Sequence, residues 1–145
     1  MIIISHRGNL MGPEIEKENS PKFIQKALDT GFHVEVDVWY INNSFFLGHD
    51  APTYSIQPSF LKNDNLWCHA KNIDALVYLN ARGKRVFYHT HEDVVMTSKG
   101  ELWAEPGKGF AGSYIVLPEK TGEIIPKGAL GICTDYAIRY KEIYK

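Results

Sequence analysis

The chain has 145 residues, 44% of them hydrophobic, and a formal net charge of −1. That length supports one core and one domain over residues 1–145, and a near-neutral chain without any Lys/Arg run lacks the basic patch of a nucleic-acid binder, so a small molecule is the expected partner. No apolar stretch approaches the roughly 20 residues of a membrane span, and "MIIISHRG" turns polar too early for a secretory leader, so a cytoplasmic protein without an integral membrane segment is expected.

The chain opens on "IIIS", a β-branched run suited to a buried strand that ends at His6-Arg7-Gly8. In "NSPKFIQKALDTG", Ser20 is the expected N-cap, Pro21 the first helical residue and Gly31 the stop, with Phe23, Ile24, Ala27 and Leu28 on one face. "HVEVDVWYI" alternates with period two, so Val34, Val36 and Val38 face one way and His33, Glu35 and Asp37 the other. Asn42-Asn43 then reads as the turn of a hairpin that leads to Gly48-His49-Asp50. A second unit follows: "LWCHAK" as a strand, "NIDALVYLNARG" as a helix capped by Asn72 and closed by Gly83, and "KRVFYHTH" as another strand. From Glu92 to Lys127 there is no helical periodicity, only the strand-like runs "DVVMT", "ELWAE" and "SYIVLP" between Gly and Pro. "ALGICTDYA" reads as a last buried strand and "IRYKEIYK" as a charged tail. Cys68 and Cys133 lie in apolar runs without metal-ligand spacing and are expected to be buried free thiols.

Repeated βα units imply parallel strands with right-handed crossovers, whose carboxyl ends are the usual seat of chemistry. His6 and Arg7, Glu35 and Asp37, and His69 and Lys71 stand at such ends. Residues two apart share a strand face, so Glu35 and Asp37 can offer oxygens to one cation while His69 and Lys71 lie side by side. His49 returns to the same rim. Two imidazoles, a carboxylate pair, an arginine and a lysine are the parts that phosphodiester cleavage needs: charge to offset the phosphate, and groups near neutrality that take and give protons.

In order and interval, "HRG", "ENS" before a helix, "EVDV", "GHD" and a late "TDY" resemble the glycerophosphodiester phosphodiesterase family, within the phosphatidylinositol-phospholipase-C-like TIM-barrel superfamily. The resemblance is strong over the first fifty residues, thinner at "CHAK" and "GICTDY", and absent between about Glu92 and Leu130. It implies that His6 and His49 form an acid–base pair, that Glu35 and Asp37 bind Mg²⁺ or Ca²⁺, and that Arg7 holds a phosphate oxygen. The family's third strand ends in a metal-binding glutamate with a lysine two residues on. Here the lysine is Lys71, but His69 stands in the glutamate's place, which opens the site to Mn²⁺, Zn²⁺ or Fe²⁺. A (β/α)₈ barrel typically takes about 250 residues, so the expected α/β fold is a reduced TIM-like barrel with several helices missing from its second half.

The expected function is a metal-dependent phosphodiesterase that cleaves a small glycerol- or polyol-type diester, through a cyclic phosphate where a neighbouring hydroxyl attacks phosphorus. The alternative is an inactive module that binds a phosphodiester or phosphate on the same fold; a third reading is an accessory protein that recognises another protein through the Glu92–Lys127 region. Glu18 and Asn19 read as the lead into the Ser20 cap, His33 as structural, and Trp39, Trp67 and Trp103 as packing. His89, His91 and Asp135 receive no role from spacing alone, and nothing in the chain specifies an oligomeric state.

Overall fold

In the computed structural model, which describes residues 1–145, the β-branched N-terminal run forms β1 (Ile2–His6). Ser20 caps α1 (Pro21–Asp29) by accepting from the Phe23 amide, and Pro21 occupies a helix start where its missing N–H costs nothing. β2 (His33–Ile41) turns through Asn42 and Asn43 into antiparallel β3 (Ser44–Leu47). Both asparagines are left-handed, with φ of 49° and 62°, as a two-residue hairpin requires. β4 (Tyr54–Ile56) pairs with β3, and a 3₁₀ turn (Pro58–Lys62) leads into β5 (Leu66–Ala70). Asn72 caps α2 (Ile73–Ala81) through the Ala75 amide. There follow β6 (Val86–Phe87), β7 (Val94–Met96), β8 (Leu102–Ala104), β9 (Ser113–Val116), the one-turn α3 (Pro118–Thr121), β10 (Gly131–Thr134) and α4 (Ala137–Ile143).

The structure departs from the sequence reading in four places. The expected charged tail is mostly the helix α4, because Ala137, Ile138 and Tyr140 can pack on the outer core. The strand expected over "KRVFYHTH" pairs only at Val86 and Phe87, so His89 and His91 lie beyond it. β4 and its 3₁₀ turn, and the short α3, carry too few residues to show a period.

The sheet is mixed. β6, β5, β2, β1, β10, β9 and β8 are successive parallel neighbours, and β7 runs antiparallel on β8. No α-helix lies between Ala81 and Pro118. The sheet is curled: five steps along it, at about 4.8 Å each, separate β5 from β8, yet the Trp67 and Trp103 rings are 5.7 Å apart. Beside Val86, the two edges touch, since the Ser98 amide donates to the Val86 carbonyl at 2.8 Å and the Ser98 hydroxyl accepts from the Val86 amide at 3.0 Å.

Two apolar layers result. Outside the curl, Val34, Val36 and Val38 pack with Ile24, Ala27 and Leu79 of the helices. Inside it, Ile4, Trp67, Phe87, Trp103, Tyr114 and Cys133 form a second cluster. β2 is therefore buried on both faces, with Glu35 3% and Asp37 0% exposed. Its period-two pattern separates a helix-side core from the inside of the curl, not core from water. Trp103→Ala removes the ring that joins β8 to β5 and β6 and is expected to destabilise the fold by about 3–5 kcal/mol, read as a lower urea midpoint.

Candidate active site

On five strands the inward residue of the inner apolar cluster is followed, two residues later, by a polar group at the carboxyl end: Ile4 by His6, Trp67 by His69, Phe87 by His89, Trp103 by Glu105 and Cys133 by Asp135. Period two puts each pair on one face, so an aromatic and aliphatic floor carries a polar mouth. β2 adds Glu35 and Asp37, in register with Trp67 and His69.

The "HRG" and "GHD" loops are held by close backbone contacts. Gly8 has φ of 93°, and a Cβ there would lie 2.6 Å from the Phe23 ring of α1. A Cβ at Gly48 would run into the Ala51 carbonyl, and the Gly48 amide donates to the Asp37 carbonyl at 3.1 Å while its own carbonyl accepts from Trp39 Nε1 at 2.7 Å. The hairpin thus returns His49 to the rim. Arg7 (φ 55°) and Asn19 (φ 65°) are left-handed without being glycine, a strained backbone typical of functional sites.

His6 is buried, and its Nδ1 lies 2.7 Å from Asp135 Oδ1, which leaves Nε2 toward Glu35 Oε2 at 3.8 Å. Burial works against its charged form, but the Asp135 bond and the Glu35 charge outweigh that and raise its pKa. Asn9 donates to both Asp135 Oδ1 and Glu18 Oε1, at 2.9 Å each, and Arg7 donates to Glu18 Oε2 at 3.1 Å. Asn19 holds Asp37 twice: its amide donates to Oδ2 at 2.8 Å, and its oxygen accepts from the Asp37 backbone amide at 3.0 Å. Lys71 Nζ stands 4.0 Å from Asp37 Oδ1. The His69 ring stacks nearly parallel to both Phe87, at 5.1 Å, and His89, at 4.4 Å between ring centres. His49 is more open, 44% exposed in its side chain, with Nδ1 2.7 Å from Asp50 Oδ1. His6, Arg7, His49, Lys120 and Asp135 line one cleft of about 570 Å³.

Glu35, Asp37 and His69 fit a divalent cation. One ligand atom from each lies within 4.8 Å of the others, and Glu35 Oε2 and Asp37 Oδ1 are buried without a hydrogen-bond partner, a costly state unless a cation satisfies them. His69 Nδ1 is 3.0 Å from Asp37 Oδ1 but is not aligned as a hydrogen bond. That separation equals the edge of an octahedron with ligands at about 2.1 Å, roughly 3.0 Å. The two carboxylates titrate apart. Burial and the neighbouring Asp37 charge push Glu35 up to about 7, whereas for Asp37 burial is outweighed by His69, Arg7 and Asn19, which hold it well below the usual carboxylate range.

All seven residues singled out in the sequence stand at this mouth. His33, by contrast, sits at the other end of β2 and accepts from Trp67 Nε1 at 3.0 Å. Sequence reasoning assigned Asn19 and Glu18 to the helix lead-in and gave Asp135, His89 and Glu105 no role. For "ENS" a signal was present, because capping needs only Ser20 and leaves two polar residues surplus. No protein-family model, curated protein or solved structure matches the chain.

Cation affinity follows from the Glu35 shift. The ionised carboxylate is the ligand, so protons compete below about 7, and Mn²⁺ affinity measured by calorimetry is expected to rise between pH 6 and pH 8 with proton release. Between its ordinary 4.5 and about 7, the folded metal-free chain binds more protons at Glu35 than the unfolded one, so this group makes stability fall as pH rises. Glu35→Gln is expected to flatten both trends.

Proposed function

We propose that the protein is a metal-dependent phosphodiesterase for small glycerol- or polyol-type diesters, a short-form relative of the glycerophosphodiester phosphodiesterases on a reduced TIM-like barrel, working in the cytoplasm. The observation that carries this reading is the convergence of His6, His49 and Arg7 on one cleft, where His6 Nε2 lies 3.8 Å from Glu35 Oε2 and Arg7 Nε 3.2 Å from Asp37 Oδ2 of the Glu35, Asp37 and His69 group, with Lys71 Nζ 4.0 Å from Asp37 Oδ1. An open, polar cleft of that size suits a compact anionic substrate better than a long polymer or an apolar ligand.

In this reading the guanidinium of Arg7, tethered by Glu18 through Nη1 and with Nε turned to Asp37, offers Nη2 to a phosphoryl oxygen, and the Lys71 ammonium adds a second positive charge. A cation held by Glu35, Asp37 and His69 supplies further charge to offset the phosphate. Asp135 fixes the His6 ring with Nδ1 occupied, so Nε2 is the atom that exchanges a proton with substrate. The substrate's neighbouring hydroxyl attacks phosphorus, its proton passes to one of His6 and His49, and the other protonates the departing alkoxide as the P–O bond breaks. The product is a cyclic phosphate and a free alcohol. Water opening the cyclic phosphate uses the same two histidines in reversed roles.

The test is ³¹P NMR of glycerophosphodiesters with Mg²⁺, Ca²⁺ or Mn²⁺. The wild type is expected to consume a diester only with metal, and His6→Ala or His49→Ala to slow it by about 10²–10⁴-fold. Binding of the diester with no turnover under any metal would overturn the enzyme reading in favour of a binding module.

A further inference from the structure

His89 stands at the mouth without a part in the proposed reaction, while His69 lacks the usual support of a metal-binding histidine. The Nδ1 atom of His69 faces the carboxylates, 3.0 Å from Asp37 Oδ1 and 3.9 Å from Glu35 Oε1, without an aligned hydrogen bond. A ligating imidazole ordinarily donates its other N–H to a carboxylate or a backbone carbonyl, and that bond fixes the ring. In this protein the hydrogen bonds at imidazole nitrogens belong to His6, His33 and His49, and none to His69. Its Cβ–Cγ torsion is then poorly defined by itself, because a terminal sp³–sp² torsion has only a broad, roughly twofold preference.

Ring faces supply what the hydrogen bonds do not. His69 is the direct partner of Phe87 in the β5–β6 ladder, and His89, two residues beyond Phe87, takes the diagonal position. The His69 ring lies within 8° of parallel to Phe87 and within 11° of parallel to His89. Phe87 and His89 are in turn 12° from parallel, with centres 6.0 Å apart, so the three rings share one orientation. Phe87 belongs to the inner core, and Glu105 Oε1, 3.3 Å from His89 Nε2, limits how far the His89 ring can swing.

We propose that His89 is a positioning residue for the cation group: its ring face sets the plane of His69 and so aims Nδ1 at an ion shared with Glu35 and Asp37. The nitrogen lone pair lies in the ring plane, so a tilted ring points it away from the ion. His89 is the nearer of the two stacked rings, at 4.4 Å against 5.1 Å, and it is not itself one of the three ligands. The role needs a flat face, not the polar atoms of the imidazole. It rests on the reading of Glu35, Asp37 and His69 as a cation site and holds whether or not the chain hydrolyses phosphodiesters.

The experiment is Mn²⁺ titration of the chelator-stripped full chain by calorimetry, with far-UV circular dichroism as the check on folding. His89→Ala and His89→Leu, which present no flat face, are expected to weaken Mn²⁺ binding by about 10-fold, and His89→Phe to keep it within about threefold of the wild type. His89→Leu fills the space that His89→Ala empties, so the comparison stands if His89→Ala does not fold. Wild-type affinity in His89→Leu, or a loss in His89→Phe as large as that in His89→Leu, would overturn the positioning role while leaving the cation group. No Mn²⁺ bound by the wild type would overturn the cation group itself, and the positioning role with it.

Discussion

Glu35 and Asp37 lie on one strand, on one face, inside a sheet that has curled around them. Two carboxylates withdrawn from water repel each other and lose their hydration, and the rest of the mouth is an answer to that constraint. Arg7, Asn19 and His69 surround Asp37 and keep it ionised; Glu35, with fewer partners, yields by holding its proton to about 7. The oxygens left over, Glu35 Oε2 and Asp37 Oδ1, have no protein donor. A cation held by Glu35, Asp37 and His69 would offset both carboxylate charges, which ties the metal reading to the energetics of burial and not only to a motif.

The support extends outward through charged and amide side chains. Asn9 and Glu18 link Arg7 to Asp135, and Asp135 in turn orients His6, so three stretches of chain, residues 6–9, Glu18 and Asp135, together hold one imidazole and one guanidinium. Left-handed backbone occurs in the same network: Arg7 and Asn19 adopt it at the mouth, and Leu117, with φ of 46°, does so where β9 gives way to α3. Glu119, on that helix, accepts from the Thr134 hydroxyl and the Asp135 amide at 2.9 Å each and so anchors the segment that carries Asp135. The aromatic floor makes this affordable, because Trp67, Phe87 and Trp103 join strands across the curl and supply the burial that a polar mouth cannot.

Much of the first half was legible in the sequence. Ser20, Pro21 and Asn72 mark helix starts by local hydrogen-bond chemistry, Asn42-Asn43 marks its hairpin by tolerance of positive φ, and Glu35 and Asp37 stand out because charge is rare inside a β-branched strand. The second half was harder. β6 has two residues and β7 and β8 three each, so none is long enough to display a period, and Glu105 and His89 look like ordinary loop polarity until the curl places them over Trp103 and Phe87.

By itself the sequence determined what is local: the βα units, their caps and turn, and the identities of the groups able to move protons, hold anions or ligate metals. Only the tertiary structure decided which of them meet. Asp135 reaches His6 across 129 residues of chain, and whether a polar residue at a strand end faces the mouth or the solvent depends on the direction in which the sheet curls. That direction is set by packing between strands far apart in the chain, where no spacing within a single element can record it.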